Sequence, residues 1–169
     1  MVAYGFKKRF VAPIRAGLGL IGLHFHKGQE IPCEFVIDDG ETIARPFDPM
    51  LDLDAPVRPK RQTIRALGKR RHARPGETLQ LYTAMRTKQC KKIGEAKCTA
   101  VRDIVITFGK LSGVSVGGSD EPQAHFQGGG LDIFAQRDGF ESWNEMVQFW
   151  DKEHGLSVFI GKLIEWEPL

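Results

Sequence analysis

Cysteine is scarce in this chain, and long apolar runs are missing. The three cysteines, Cys33, Cys90 and Cys98, are odd in number and form no CxxC pair, which argues against a disulfide framework and against a zinc site. No window approaches the roughly 18 apolar residues of a membrane span, and the first residues lack the apolar run of a signal peptide. We therefore expect a soluble, cytoplasmic protein with structural thiols and no membrane partner.

The placement of the five histidines gives little reason to expect a metal. His24 and His26 are alternate residues, but acids and cysteines do not accompany them as a ligand set would require. We expect no metal and no cofactor. The length of 169 residues with 41% hydrophobic content predicts one globular domain that can bury a core.

The net charge is small, yet the positive charge is concentrated in one stretch. Twelve of the 24 Lys and Arg residues lie between Lys60 and Lys97, opposed there only by Glu77 and Glu95, so this stretch carries +10 and the remainder −7. Apolar residues at strand-like spacing interrupt the bases, so we expect them to be held in fixed positions on a folded surface. This asymmetry predicts a polyanionic partner, with a merely solvated face as the alternative.

The pattern of elements predicts a mostly antiparallel sheet with helices packed against it, an α+β or small barrel-like domain. A capping box at residues 142–145 starts a helix that carries Trp143, Met146, Val147 and Trp150 at helical spacing and ends before Gly155. A helical turn is expected from residue 13 and a surface loop at 117–130. Strands are expected at 4–10, 62–66, 78–83, 97–108, 114–116 and 157–166.

Residues 19–59 differ in composition from the rest of the chain. Residues 33–37 and 41–44 flank Asp38-Asp39-Gly40, and Asp-Gly is a favoured hairpin turn, so a β-hairpin is predicted here. Four prolines then punctuate residues 46–59, which predicts an ordered loop or a linker.

Several blocks of the chain form a recognisable set. They are YGFKKRFVAPIRAG near the start, KRQTIR at 60–65, RPGETLQLYTAMRTKQCKKIGEAKC at 74–98, and then DGF, EMVQFW and FIGKLIEW. Together they resemble the ASCH family, a branch of the PUA-like barrels, and in particular its phage and prophage members. The resemblance implies a small β-barrel with flanking helices and a cleft that is used for RNA or for a nucleoside.

The chain departs from that family at one position. ASCH proteins usually place a glycine two residues ahead of the motif lysine, where this chain has Arg58, whereas Gly17 lies far upstream. We interpret residues 19–59 as an insertion that splits the motif between the first helix and the second strand of a single domain spanning 1–169. Long insertions cost little in closure entropy. The inserted hairpin should then lie at the rim of the cleft as a lid, a specificity loop or an interaction surface.

The resemblance also implies a catalytic group. Some ASCH members hydrolyse the acetyl amide of acetylcytidine with a Lys, a Thr and a Glu; Lys60 and Thr63 match the first two, and Asp138 stands where those enzymes carry Glu. A lysine with a lowered pKa can take the proton of a threonine hydroxyl, and we expect Arg61 and Arg65 to lower the pKa of Lys60. Alternation along a regular strand would separate Lys60 from Thr63, so a bend is expected there.

Three functions remain open on the sequence. The first is binding of RNA or a modified cytidine nucleoside in a basic cleft, the second is N(4)-acetylcytidine amidohydrolase activity, and the third is ribonuclease activity. A hydrolase should show a closed, nucleoside-sized pocket, and a binding module an open basic groove. The bases expected to contact phosphates are Arg61, Arg65, Lys69, Arg70, Arg71, Arg74, Arg86, Lys88, Lys91 and Lys92, with Tyr82 or His72 available to stack a base.

Overall fold

The computed structural model describes residues 1–26, 29–38, 41–46, 59–68, 71–109, 111–117, 124–155 and 158–169, without the side chains of 21–46. These residues form an α+β structure, as predicted. The strands are β1 (Val2–Phe6), β2 (Ile21–His26), β3 (Gln29–Asp38), β4 (Glu41–Pro46), β5 (Gln62–Ala66), β6 (Thr78–Thr83), β7 (Lys91–Thr107), β8 (Gly113–Val116), β9 (Ala124–Phe126) and β10 (Val158–Pro168). The helices are α1 (Val11–Gly17), α2 (Gly130–Arg137) and α3 (Trp143–His154), and a 3-10 turn (Lys8–Phe10) precedes α1.

Seven strands form one mixed sheet in the order β1-β6-β7-β10-β5, and β8 and β9 extend it from β7. The pairing of β1 with β6 is parallel and the other pairings are antiparallel. The closed barrel implied by the resemblance is not formed, because the described edge strands β1 and β5 share no ladder. A side chain spans the gap instead, since Arg65 Nη2 donates to the Gly5 carbonyl at 2.9 Å.

A second sheet, with the order β2-β3-β4, is antiparallel throughout. Pairing of Asp38 with Glu41 confirms the predicted hairpin between β3 and β4. Strand β2 was not predicted, although Ile21, Leu23 and Phe25 alternate with Gly22, His24 and His26. Most of the proline-rich run, residues 47–58, lies outside the described residues, so the predicted loop stays a prediction.

Helix α3 confirms the predicted N-cap at Ser142 and the helical spacing, whereas the Glu145 carboxylate accepts from the Glu141 amide instead of completing the predicted capping box. The Ser142 hydroxyl accepts from the Glu145 amide at 3.3 Å, and Gly155 ends the helix with a φ of +61°. Met146 and Trp150 of α3 pack into one core with residues of the main sheet, such as Leu79 and Ile104. The predicted loop at 117–130 differs in one respect, because it contains the short strand β9.

The two sides of the predicted insertion meet at the start of β5. The Lys60 amide donates to the Pro13 carbonyl at 2.8 Å, and Arg61 Nε donates to the Gly17 carbonyl at 3.0 Å. A Cβ on Gly17 would lie 2.2 Å from the Lys60 carbonyl oxygen, so this close approach requires glycine. The chain therefore leaves the main sheet and returns to it at one place, while the division into a domain and an insertion stays a prediction.

Candidate active site

Lys60 immediately precedes β5, and its side chain is directed into the protein. Only 1% of the residue is exposed, which is unusual for lysine. Its stem packs beneath Gly139, whose φ of +84° lets the chain turn tightly there, and its ammonium group lies 4.8 Å from the centre of the Phe10 ring. The buried position of Lys60 thus depends on the turn that follows α2.

Asp138 is the partner of Lys60. Lys60 Nζ donates to Asp138 Oδ1 at 2.7 Å and also to the Asp138 backbone carbonyl. The end of α2 holds Asp138 in place, because its amide donates to the carbonyls of Phe134 and Ala135. The structure therefore joins two of the three predicted catalytic residues in one buried ion pair.

Burial moves the pKa values of this pair toward each other. The pKa of Lys60 is lowered to about 8, mainly by burial. The charges of Arg65 and Arg9 add to this shift, whereas Asp138 opposes it. Burial also raises the pKa of Asp138, against the effect of Lys60. A proton can thus pass between these groups at a smaller cost than between exposed ones. Burial, rather than the predicted arginine charges, is the main cause at Lys60.

Thr63 lies in the lining of the same cleft. It is 5% exposed and lines the cleft together with Lys60, Asp138 and Arg65. Strand β5 begins at Gln62, after Lys60, and both Lys60 and Thr63 line the cleft, while the expected bend between them stays a prediction. Arg61 turns away to Gly17, so it contributes nothing to the floor.

Arg65 places a second buried cation at this floor. Its guanidinium lies 4.7 Å from the centre of the Phe6 ring, its Nη2 donates to Gly5, and its buried Nε has no hydrogen-bond partner among the described residues. Burial lowers the pKa of Arg65. The floor thus sets two cations against one carboxylate, an arrangement that favours an anionic or strongly accepting ligand atom.

The cleft above the floor has a volume of about 1640 Å³. Ligand pockets for drug-sized molecules typically enclose about 300–1,000 Å³, so this cleft exceeds the space that one nucleoside needs. Its walls are the turn at Lys8–Phe10, one face of α3 with Phe149, and the connection from β6 to β7. The size of the cleft matches the open groove expected of a binding module, whereas the Lys60–Asp138 contact is one of the features expected of a hydrolase.

The predicted phosphate-binding residues are divided by the structure. Arg65, Arg86, Lys88 and Lys91 line the cleft. The other predicted binding residues that are described do not line the cleft: Arg61, Arg71, His72, Arg74, Tyr82 and Lys92. Arg71 is paired with Glu77, and Lys92 is paired with Glu95. The Tyr82 hydroxyl donates to Gln80. Lys69 and Arg70 lie outside the described residues.

The wall formed by the N-terminal turn was not predicted from the sequence. The Arg9 guanidinium lies 5.0 to 5.6 Å from the ring centres of Phe10, Phe140 and Phe149 and forms an ion pair with Glu145. The available signal was the basic tripeptide at residues 7–9 beside an aromatic residue. Its importance emerges only when the fold brings it into one cleft with residues 84–91.

The described residues contain no group of three His, Cys, Asp or Glu side chains that could hold a metal ion. Within the same part of the chain, every helix is too short or too polar to cross a membrane. Comparisons with protein-family models, curated proteins and solved structures gave no match to this chain.

Proposed function

We propose that the cleft binds RNA or a modified cytidine nucleoside and that Lys60, Thr63 and Asp138 hydrolyse an amide on the base, as in an N(4)-acetylcytidine amidohydrolase. One observation carries this proposal: a buried ion pair with converging pKa values lies in a basic cleft that Thr63 also lines. Buried ion pairs are poor stabilisers, whereas perturbed acid and base pairs cluster at functional sites.

The chemistry assigned to the floor is acyl transfer in two steps. The neutral amine of Lys60 takes the proton of Thr63 Oγ1 as that oxygen bonds to the amide carbon, and Arg65 stabilises the negative charge on the carbonyl oxygen. The carbon–nitrogen bond then breaks, and the cytidine amine leaves with the proton held by Lys60. Water next attacks the threonine ester and releases acetate. Asp138 holds the lysine in place and exchanges its proton.

The test is hydrolysis of N(4)-acetylcytidine, followed by the appearance of cytidine. Thr63→Val and Lys60→Met should each lower kcat by about 10² or more, because each removes a group that acts in the transition state. Tyr82→Phe is the matched control, because it removes a hydroxyl that bonds to Gln80 outside the cleft lining. Absence of deacetylation by the unmodified protein, or full activity of Thr63→Val, would contradict the enzymatic part of the proposal.

RNA binding without chemistry is the second candidate, and the size of the cleft favours it. In that case Thr63→Val should leave RNA affinity unaltered, and Lys60→Met should cost no more than one contact. The ribonuclease expectation has no specific arrangement of the described residues in its favour.

A further inference from the structure

The connection between β6 and β7, residues 84–90, forms one side of the cleft and is called the rim loop here. Ala84 and Arg86 have φ values of +49° and +70°, a conformation that residues other than glycine seldom adopt. The loop is nevertheless held by its own bonds, since the amides of Thr87 and Cys90 donate to the carbonyls of Ala84 and Thr87 at 3.1 Å. Strained but fixed backbone of this kind clusters at ligand sites.

The rim loop is anchored to the main sheet at Gly5. A Cβ on Gly5 would lie 3.0 Å from Met85 Cβ, so the absence of a side chain there lets the loop pack directly on β1. The bases of the loop are consequently presented from a preformed surface, which reduces the ordering entropy that a ligand must supply.

The cations along the cleft divide into paired and unpaired groups. Lys7 and Arg9 form ion pairs with Glu153 and Glu145. The unpaired group, within the described part of the chain, has one member on the N-terminal turn and three on or next to the rim loop: Lys8, Arg86, Lys88 and Lys91. All four residues are exposed.

An uncharged nucleoside needs none of these four cations, whereas phosphates of a nucleic-acid backbone do. The cations come from two segments that follow the neighbouring ends of β1 and β6, and the volume of the cleft accommodates more than one nucleotide. A base also reaches the buried floor only when it is unstacked, which single strands permit and duplexes resist.

We infer that the ligand of this cleft is a nucleotide within a single-stranded RNA, with one base at the floor and the flanking phosphates on Lys8 and the rim loop. The inference rests on the proposed function for the identity of the base at the floor. It adds that a polymer, rather than a free nucleoside, is recognised.

The experiment compares a labelled nine-nucleotide oligocytidylate RNA with free cytidine, each titrated at several salt concentrations. Arg86→Gln/Lys88→Gln removes two unpaired cations from the cleft. Lys97→Gln/Lys152→Gln is the matched control, because it removes the same charge from exposed positions outside the cleft lining. With a contribution of about 0.7 per phosphate contact for single strands, the log-log salt slope should fall by about 1.4 in the first variant and stay unchanged in the control.

Four outcomes decide the matter. The predicted difference between the two variants supports the inference, and it does so even if acetylcytidine is not hydrolysed, which would remove only the enzymatic proposal. Equal affinity for cytidine and the oligonucleotide, without salt dependence, overturns the inference while hydrolysis of the nucleoside still supports the proposed function. Equal effects of both variants overturn it, because general charge would then explain the binding. Equal affinity for a duplex of the same sequence overturns the single-strand assignment.

Discussion

Replacement of the buried pair by apolar residues should separate stability from function. Lys60→Met leaves the Asp138 carboxyl buried without its partner, and Asp138→Leu leaves the ammonium group in the same position. Removal of one member of a buried ion pair typically costs about 3–5 kcal/mol of unfolding free energy. The double variant has two apolar side chains of similar shape in contact, and such replacements are commonly neutral or stabilising by about 1–4 kcal/mol.

We therefore expect each single variant to be much less stable than the original protein, and the double variant to equal or exceed it in stability while lacking deacetylase activity. Urea unfolding followed by tryptophan fluorescence, with equal m values for all four proteins, measures the coupling free energy. A coupling of about 3 kcal/mol or more is expected. Single variants with small effects that simply add in the double variant would refute the pairing and the structural basis of the proposed function.

Three further predictions concern the same region. An active base at Lys60 must be neutral, and its pKa is lowered to about 8. We therefore expect kcat/KM to rise with pH up to about 8 and then to level off. A profile that is flat between about pH 6 and 9 would contradict this role. Gly17→Ala should destabilise the protein by about 1–3 kcal/mol by displacing the Lys60 carbonyl, whereas Gly68→Ala, with nothing within 4 Å, should change thermal unfolding little. Replacement of residues 19–59 by a short linker should preserve cooperative unfolding, because Gly17 and Lys60 are already in contact. A molten product would show that the three-stranded sheet stabilises the seven-stranded sheet.

Local signals in the sequence predicted local structure well. The N-cap at Ser142 and the Asp-Gly turn act within a few residues, so the start of α3 and the β3-β4 hairpin follow from nearby side chains alone. Closure of the sheet depends instead on how two distant edge strands approach each other. No pattern within β1 or β5 specifies that Arg65, rather than a backbone ladder, spans that gap.

The site was only partly predictable for the same reason. Lys60, Thr63 and Asp138 were identified through a resemblance, and the structure brings them to one cleft floor. The burial of Lys60, which sets its pKa, comes from Phe10 and Gly139 in remote parts of the chain. Charge density along the sequence likewise drew attention to Arg71 and Arg74, whereas the cleft takes some of its cations from the N-terminal turn.

The pairing of β5 has a consequence for the order in which the protein becomes active during synthesis. Among the described strands β5 pairs only with β10, and Gln62 thereby meets Glu165, about 100 residues later. A ribosome-bound chain that already contains Lys60, Thr63 and Asp138 still lacks the strand that pairs with Thr63. Ligand capture by a nascent chain should therefore begin only after β10 has emerged, so the growing polypeptide stays inert toward its ligand until the last strand of the sheet is added.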